Sequence, residues 1–153
     1  MSDTEAAIDV LAALAAWVVK DGVALGGLSF ELRTQALAVA WAGLPAVVMS
    51  ENEVNGILRA QLAGAASFLA TDHVELRRWL VDAAWLRRDG YGREYRRVPV
   101  SELAAHARVV AEALSVLDVT AWVTEARLRH VAQRDQRRQA WQTTQSSSAG
   151  SAA

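Results

Sequence analysis

The stretch LRRWLVDAAWLRRDGYGREYRRV, from Leu76 to Val98, holds seven arginines and no lysine in a chain whose formal net charge is only −1. Arginine carries a planar, permanently charged fork that bridges phosphate oxygens and pairs with guanine O6 and N7. Arg77, Arg78, Arg87, Arg88, Arg93, Arg96 and Arg97, with His73 just before them, are therefore the candidate contacts to nucleic acid. Asp72, Glu75, Asp82, Asp89 and Glu94 are interleaved with them, and a solvated, salt-bridged face is the competing reading. Other chemistry finds little footing. The absence of cysteine excludes disulfides, thiolate metal sites and cysteine nucleophiles. His73, His106 and His130 lie far apart in sequence, so no metal site is expected. No Ser-His-Asp arrangement, nucleophile–base pair or cofactor loop is legible, and the chain is expected to be neither an enzyme nor a cofactor carrier. GVALGGL, residues 22–28, lacks the spacing of a phosphate loop and reads as a connector.

The total charge conceals an uneven distribution. Residues 1–70 carry three basic and seven acidic side chains, residues 71–100 seven and five, and residues 101–153 six and five. An acidic N-terminal half beside two basic patches points to an anionic partner on one side of the molecule. The chain opens with the acidic MSDTE, and its longest uncharged apolar run, Ala36 to Met49, has fourteen residues with Gly43 and Pro45 inside it. A spanning helix needs roughly 18 or more. No export signal and no membrane segment are read, and a cytoplasmic location is expected.

Several elements must position the arginines. Thr4 to Val19 reads as a helix with Ile8, Leu11, Ala15 and Val18 on one face and Leu14 and Trp17 beside it, stopped at Lys20-Asp21-Gly22. Ser29 is a candidate N-cap for a helix from Phe30 to Trp41. Ala46 to Met49 reads as a brief strand. Ser50 and Glu53 have capping-box spacing ahead of a helix to about Leu62, burying Val54, Ile57, Leu58 and Leu62. AGAASFLA is either an extension of that helix or an insert packed through Phe68 and Leu69. Asp72 and Glu75 offer a second capping box, for a helix from His73 to about Ala84 that buries Leu76, Leu80 and Ala83. Trp85–Arg88 and Arg93–Val98 flank DGYG as a hairpin, with one of Tyr91 and Tyr95 expected at an exposed tip and the other as a core anchor. Ser101 can cap a long last helix, whose 3-4 repeat runs through Leu103, Ala107, Val110, Leu114, Leu117, Ala121, Thr124, Leu128 and Val131. A break near Asp118, giving two helices, competes with one continuous helix.

Helix, strand, helix, helix and hairpin is the element order of a winged helix, whose third helix enters the major groove while the hairpin touches backbone or minor groove. Arg77 and Arg78 fall early on that third helix, and Arg93 near the wing tip is the favoured wing contact, since alternation turns only about half of the strand residues the same way. SENEVNGIL followed by DHVELRRWLVDAAWLRRDGYGREYRRV also resembles the bacterial domain-of-unknown-function family DUF2087. Glu53, Val54, Asn55 and Leu58 fit the first part of that family's pattern. Asp72, Leu76, Arg77, Arg78, Leu80, Val81 and Asp82 fit the second, and Leu86, Arg88, Gly92, Tyr95 and Arg97 the third. The resemblance covers about residues 30–98 and implies a setting in transcriptional regulation. About seven extra residues around AGAASFL depart from the pattern and lengthen the turn between the second and third helices.

The expected fold is mainly α (α+β): a winged helix-turn-helix with a two-stranded wing, an N-terminal helix, and a long C-terminal dimerisation helix. The expected division is an N-terminal helix and linker (1–28), a winged helix (29–98), a C-terminal helix or helix pair (99–141) and a disordered tail (142–153). The expected activity is dimeric DNA-binding regulation at a pseudo-palindromic site, with Leu103, Val110, Leu114, Leu117, Leu128 and Val131 at the dimer interface. The alternative is a winged-helix protein-interaction module. Double-stranded DNA and a second copy are the expected partners. A small-molecule effector remains open, in a pocket lined by some of the six tryptophans, of which Trp141 stands apart.

Overall fold

Alanine is the commonest filler of the helix at the centre of the fold, and its small side chain lets neighbours approach that helix from every side. In the computed structural model, which describes residues 2–150, helix α2 (Phe30–Ala42) buries every residue from Thr34 to Trp41. A helix buried all round needs apolar residues on all faces, which TQALAVAW nearly supplies. Ser29 caps it, accepting from the Leu32 N–H at 3.2 Å. Helix α1 (Asp3–Val18) and helix α5 (Ala105–Ser115) pack on it. The buried face of α1 runs through Val10, Leu11, Leu14, Trp17 and Val18, whereas Ile8 is exposed. Leu11, Leu14, Trp17 and Val18 thus face the core as expected, and the departure is Ile8, which points to solvent. Arg127 closes the C-terminus of α1, donating to Val18 O and Lys20 O and pairing with Asp21 at 2.7 Å. A cation at that end satisfies orphan carbonyls and the helix dipole together. Lys20, expected in that role, instead lies over the Trp17 ring.

Strand β1 (Met49–Ser50) leads into helix α3 (Glu51–Leu62), and the Ser50–Glu53 capping box forms with both bonds at 3.2 Å. Residues 63–72 are an insert of turns, not an extension of α3. Phe68 and Leu69 are buried, and Val23 exchanges backbone hydrogen bonds with Phe68 O and the Ala70 N–H. Helix α4 (His73–Asp82) starts at Asp72, which accepts from the Glu75 N–H at 2.8 Å, and buries Leu76 and Leu80. Ala83, expected inside, is the exposed C-cap. Strands β2 (Leu86–Arg88) and β3 (Glu94–Arg97) form the hairpin, and the antiparallel sheet has the order β1-β3-β2. The expected two-stranded wing is therefore part of a three-stranded sheet, with Met49 opposite Tyr95 and Arg88 also opposite Tyr95.

The C-terminal part breaks into two helices. Val100–Glu102 is a 3-10 turn, so Ser101 caps nothing, and α5 begins at Ala105 without a side-chain cap. Helix α6 (Val119–Gly150) begins after Asp118, whose carboxylate accepts from the Ala121 N–H at 3.1 Å. The continuous seam is accordingly absent. Leu103, Val110 and Leu114 belong to the core of this chain and Leu117 is half-buried against it, while Leu128 and Val131 are exposed. The apolar repeat that reads as a dimer seam is spent on α1 and α2 up to Leu117. Every residue from Leu128 to Gly150 is exposed. Helix α6 thus runs through the segment expected to be disordered, and residues 151–153 lie outside the described residues.

Among the described residues, one non-glycine position has a strained backbone. Ala84 has φ 62°, the left-handed C′ position after α4, with Trp85 N–H donating to Leu80 O at 2.9 Å and Ala84 N–H to Val81 O at 3.1 Å. This is the Schellman arrangement, completed by the buried Trp85 and Leu80 side chains, and it favours glycine at C′. An L-residue in that conformation costs roughly 1–2 kcal/mol, partly offset by the extra unfolded-state freedom of glycine. Ala84→Gly is expected to stabilise the fold by about 0.5–1 kcal/mol, as read by urea denaturation.

Candidate nucleic-acid interface

The hairpin sets the direction of each arginine. Pairing of Leu86 with Arg97, Arg87 with Arg96 and Arg88 with Tyr95 puts Leu86, Arg88, Tyr95 and Arg97 on one face and Arg87 and Arg96 on the other. The first face covers the core. Tyr95 is buried there, whereas Tyr91 at the turn is 87 % exposed. The turn itself depends on Asp89, whose carboxylate accepts from the Arg93 N–H at 2.8 Å and the Glu94 N–H at 3.3 Å. Of the two glycines, only Gly92 takes a positive φ, 68°.

Two of the seven arginines are anchored in the fold. Arg97 donates to Leu44 O at 2.8 Å, and its guanidinium lies 3.9 Å from the centre of the Trp41 ring. Burial pushes that guanidinium below its ordinary pKa. Arg97 therefore leaves the set of expected nucleic-acid contacts, because its fork is committed between α2 and β3. Arg77, whose side chain is 17 % exposed, pairs with Glu51 at 3.0 Å, donates to Asn55 Oδ1 and sits over the Tyr95 ring. It ties α4 to α3 and the wing, so it too is chiefly an internal group. Asn55 thereby serves as an internal hydrogen-bond acceptor.

The others differ. Arg87 pairs with Glu102 at 2.9 Å on the outer face, an exposed contact of small energetic weight. Among the described residues, Arg78, Arg88, Arg93 and Arg96 make no side-chain hydrogen bond or ion pair. The five interleaved acids do not pair with arginine side chains among the described residues. Asp72 and Asp89 serve backbone N–H groups instead, and the arginines' carboxylate partners, Glu51 and Glu102, lie outside that set. Arg78 and Arg88 line one cleft of about 180 Å³ between α4 and the wing, with Val74, Arg77, Val81, Asp82 and Tyr95. His73 stands off at the start of α4, 3.4 Å from an Arg59 guanidinium nitrogen. The division of the seven arginines into anchored and outward-facing groups was not read from the sequence. The cue to Arg77 was present, since Glu51 and Asn55 lie four residues apart on one face of α3.

Helices α2, α3 and α4 followed by the β2–β3 hairpin, with β1 completing the sheet, give this part of the chain an α+β arrangement in the element order expected from the sequence, with cationic groups gathered at α4 and the hairpin. Residues 29–97, under half of the chain, match the family model described as "Uncharacterized protein conserved in bacteria (DUF2087)". The match begins at the N-cap of α2 and ends in the last residue of β3, so α1, α5 and α6 lie outside it. No curated protein and no solved structure matches the chain. No helix of the described residues is long and apolar enough to cross a membrane.

Asp89 supplies a pH-dependent test of the wing turn. Desolvation acts to raise its pKa, but the backbone N–H groups of Glu94, Arg93, Gly92 and Tyr91 together hold it below the ordinary carboxylate value. A lowered folded-state pKa contributes turn stability that is present above the unfolded value and is lost as pH falls through the folded one. NMR titration of the Arg93 and Glu94 amides is expected to give a midpoint below that of an unstructured aspartate. Asp89→Asn should remove that titration and speed amide exchange at both positions.

Proposed function

We propose that this chain is a DNA-binding transcriptional regulator that presents α4 to the major groove and the β2–β3 wing to the flanking backbone. The observation that supports it is the pair Arg78 and Arg88 lining one cleft between α4 and the wing, with Arg93 and Arg96 displayed on the same hairpin and uncommitted within the described residues. Cations held on a rigid helix and hairpin suit phosphate bridging, and Arg78 also suits a base edge. In this reading Arg77 and Arg97 hold α4 and the wing in place rather than touching DNA. A two-fold site would be read by two copies, and the part of the expected seam left for pairing them is the exposed stretch of α6 with Leu128 and Val131.

One observation favours docking to a protein instead. Three of the seven arginines are already engaged with carboxylates or carbonyls of this chain, which leaves a modest cationic surface. Salt separates the readings, because phosphate contacts make affinity fall steeply with salt while an apolar contact changes little. The purified protein would be used to select fragments from a bacterial genomic library, and enriched fragments titrated with salt. The Arg78→Ala/Arg88→Ala variant is expected to lose the enrichment, and the log–log salt slope to shrink by about 2. Absence of enrichment at low salt overturns the DNA reading and leaves the interaction module.

A further inference from the structure

A second cleft lies where α1, α2 and α5 meet. Its volume is about 290 Å³, near the lower end of ligand pockets. Val10 of α1, Val109 and Val110 of α5 and Phe30 of α2 give it apolar walls. The Phe30 ring packs on His106 with 4.9 Å between centroids. Four polar side chains also line it: Glu31, Thr34, Gln35 and His106. None of them belongs to the arginine-bearing surface.

Gln35 is the telling residue. It is 6 % exposed, and its buried Oε1 has no hydrogen-bond partner. A buried acceptor left unpaired costs about 1–3 kcal/mol, and a helix so rich in alanine and leucine could have carried an apolar residue there. Thr34, also buried, donates its hydroxyl proton to Phe30 O at 2.9 Å, so its oxygen can only accept from elsewhere. Glu31 adds a carboxylate. The cleft therefore combines two neutral acceptors and an anion with the packed Phe30 and His106 rings, five of its eight lining residues coming from the acidic segment 1–70 and three from α5. Ammonium donors satisfy such acceptors, and an aromatic face attracts the same cation.

We infer that the cleft bounded by Val10, Phe30, Gln35, His106 and Val110 is a binding site for a small apolar molecule bearing a primary amine. The amine meets Gln35, Thr34 and Glu31, and the apolar body packs on Val10, Val109 and Val110. This inference is independent of whether the arginine surface binds DNA. It differs from the expected effector pocket, since none of its walls is a tryptophan.

Phenethylamine is the probe, followed by ¹H–¹⁵N NMR on the full chain, with 3-phenylpropanoate as a control of similar shape and opposite charge. Saturable shifts are expected at Val10, Gln35, His106 and Val110, with the carboxylate binding at least about tenfold more weakly. Gln35→Leu should weaken the amine at least about tenfold while raising the melting temperature, because the unpaired acceptor is gone. Glu31→Gln, at an exposed position, should also weaken it and guards against a folding defect in the first variant. Equal binding of amine and carboxylate, shifts scattered over other surfaces, no saturation up to about 10 mM, or unchanged affinity in both variants would each overturn the site.

Discussion

Trp41 is the contact on which the arrangement of helices and wing depends. Its indole N–H donates to Val98 O at 2.9 Å, just past the end of β3. Its ring meets the Trp85 ring with centroids 5.5 Å apart and carries the Arg97 guanidinium on another side. One side chain near the end of the buried α2 thereby holds the start of the hairpin, through Trp85, and its end, through Val98 and Arg97. A buried tryptophan of this kind is worth about 3–5 kcal/mol on truncation to alanine, and its N–H needs the partner it has. With both ends of the hairpin fixed to α2, the sheet register places Arg88 beside α4 and turns Arg87 and Arg96 away.

Arginine consequently has two uses in the same stretch. Where its fork is surrounded by carbonyl, amide, carboxylate and aromatic groups, as at Arg77 and Arg97, it joins one element to another. Where strand alternation or helix phase turns it outward, as at Arg78, Arg93 and Arg96, it contributes charge to the surface. A lysine would serve the first use poorly, since it lacks the planar fork that can stack and donate together. That accounts for seven arginines without a lysine more fully than either nucleic-acid contact or a solvated face does alone.

Local grammar made much of this legible in advance. Ser29, Ser50 and Asp72 all cap the helices their spacing implied, and of the two hairpin tyrosines one is an exposed tip, Tyr91, and one a core anchor, Tyr95. The three-stranded sheet was harder to foresee, because β1 is two residues long and acquires its meaning only by pairing with β3. The 3-4 repeat after Leu103 misled for a physical reason: an apolar stripe states that a helix face is covered, not whether the cover belongs to the same chain. Asp118 resolved it by capping a new helix. The acceptor-lined cleft at Gln35 had no local signal, since three separate helices build it.

Urea denaturation of the seven single Arg→Ala variants tests the division of the arginines most directly. The account predicts losses of roughly 1–3 kcal/mol for Arg77→Ala and Arg97→Ala, which break buried or half-buried charged hydrogen bonds and ring contacts. It predicts changes within about 0.5 kcal/mol for Arg78, Arg88, Arg93 and Arg96, with Arg87 no more than about 1 kcal/mol. A uniform small effect across all seven, or a large loss at Arg78 with none at Arg97, would contradict it.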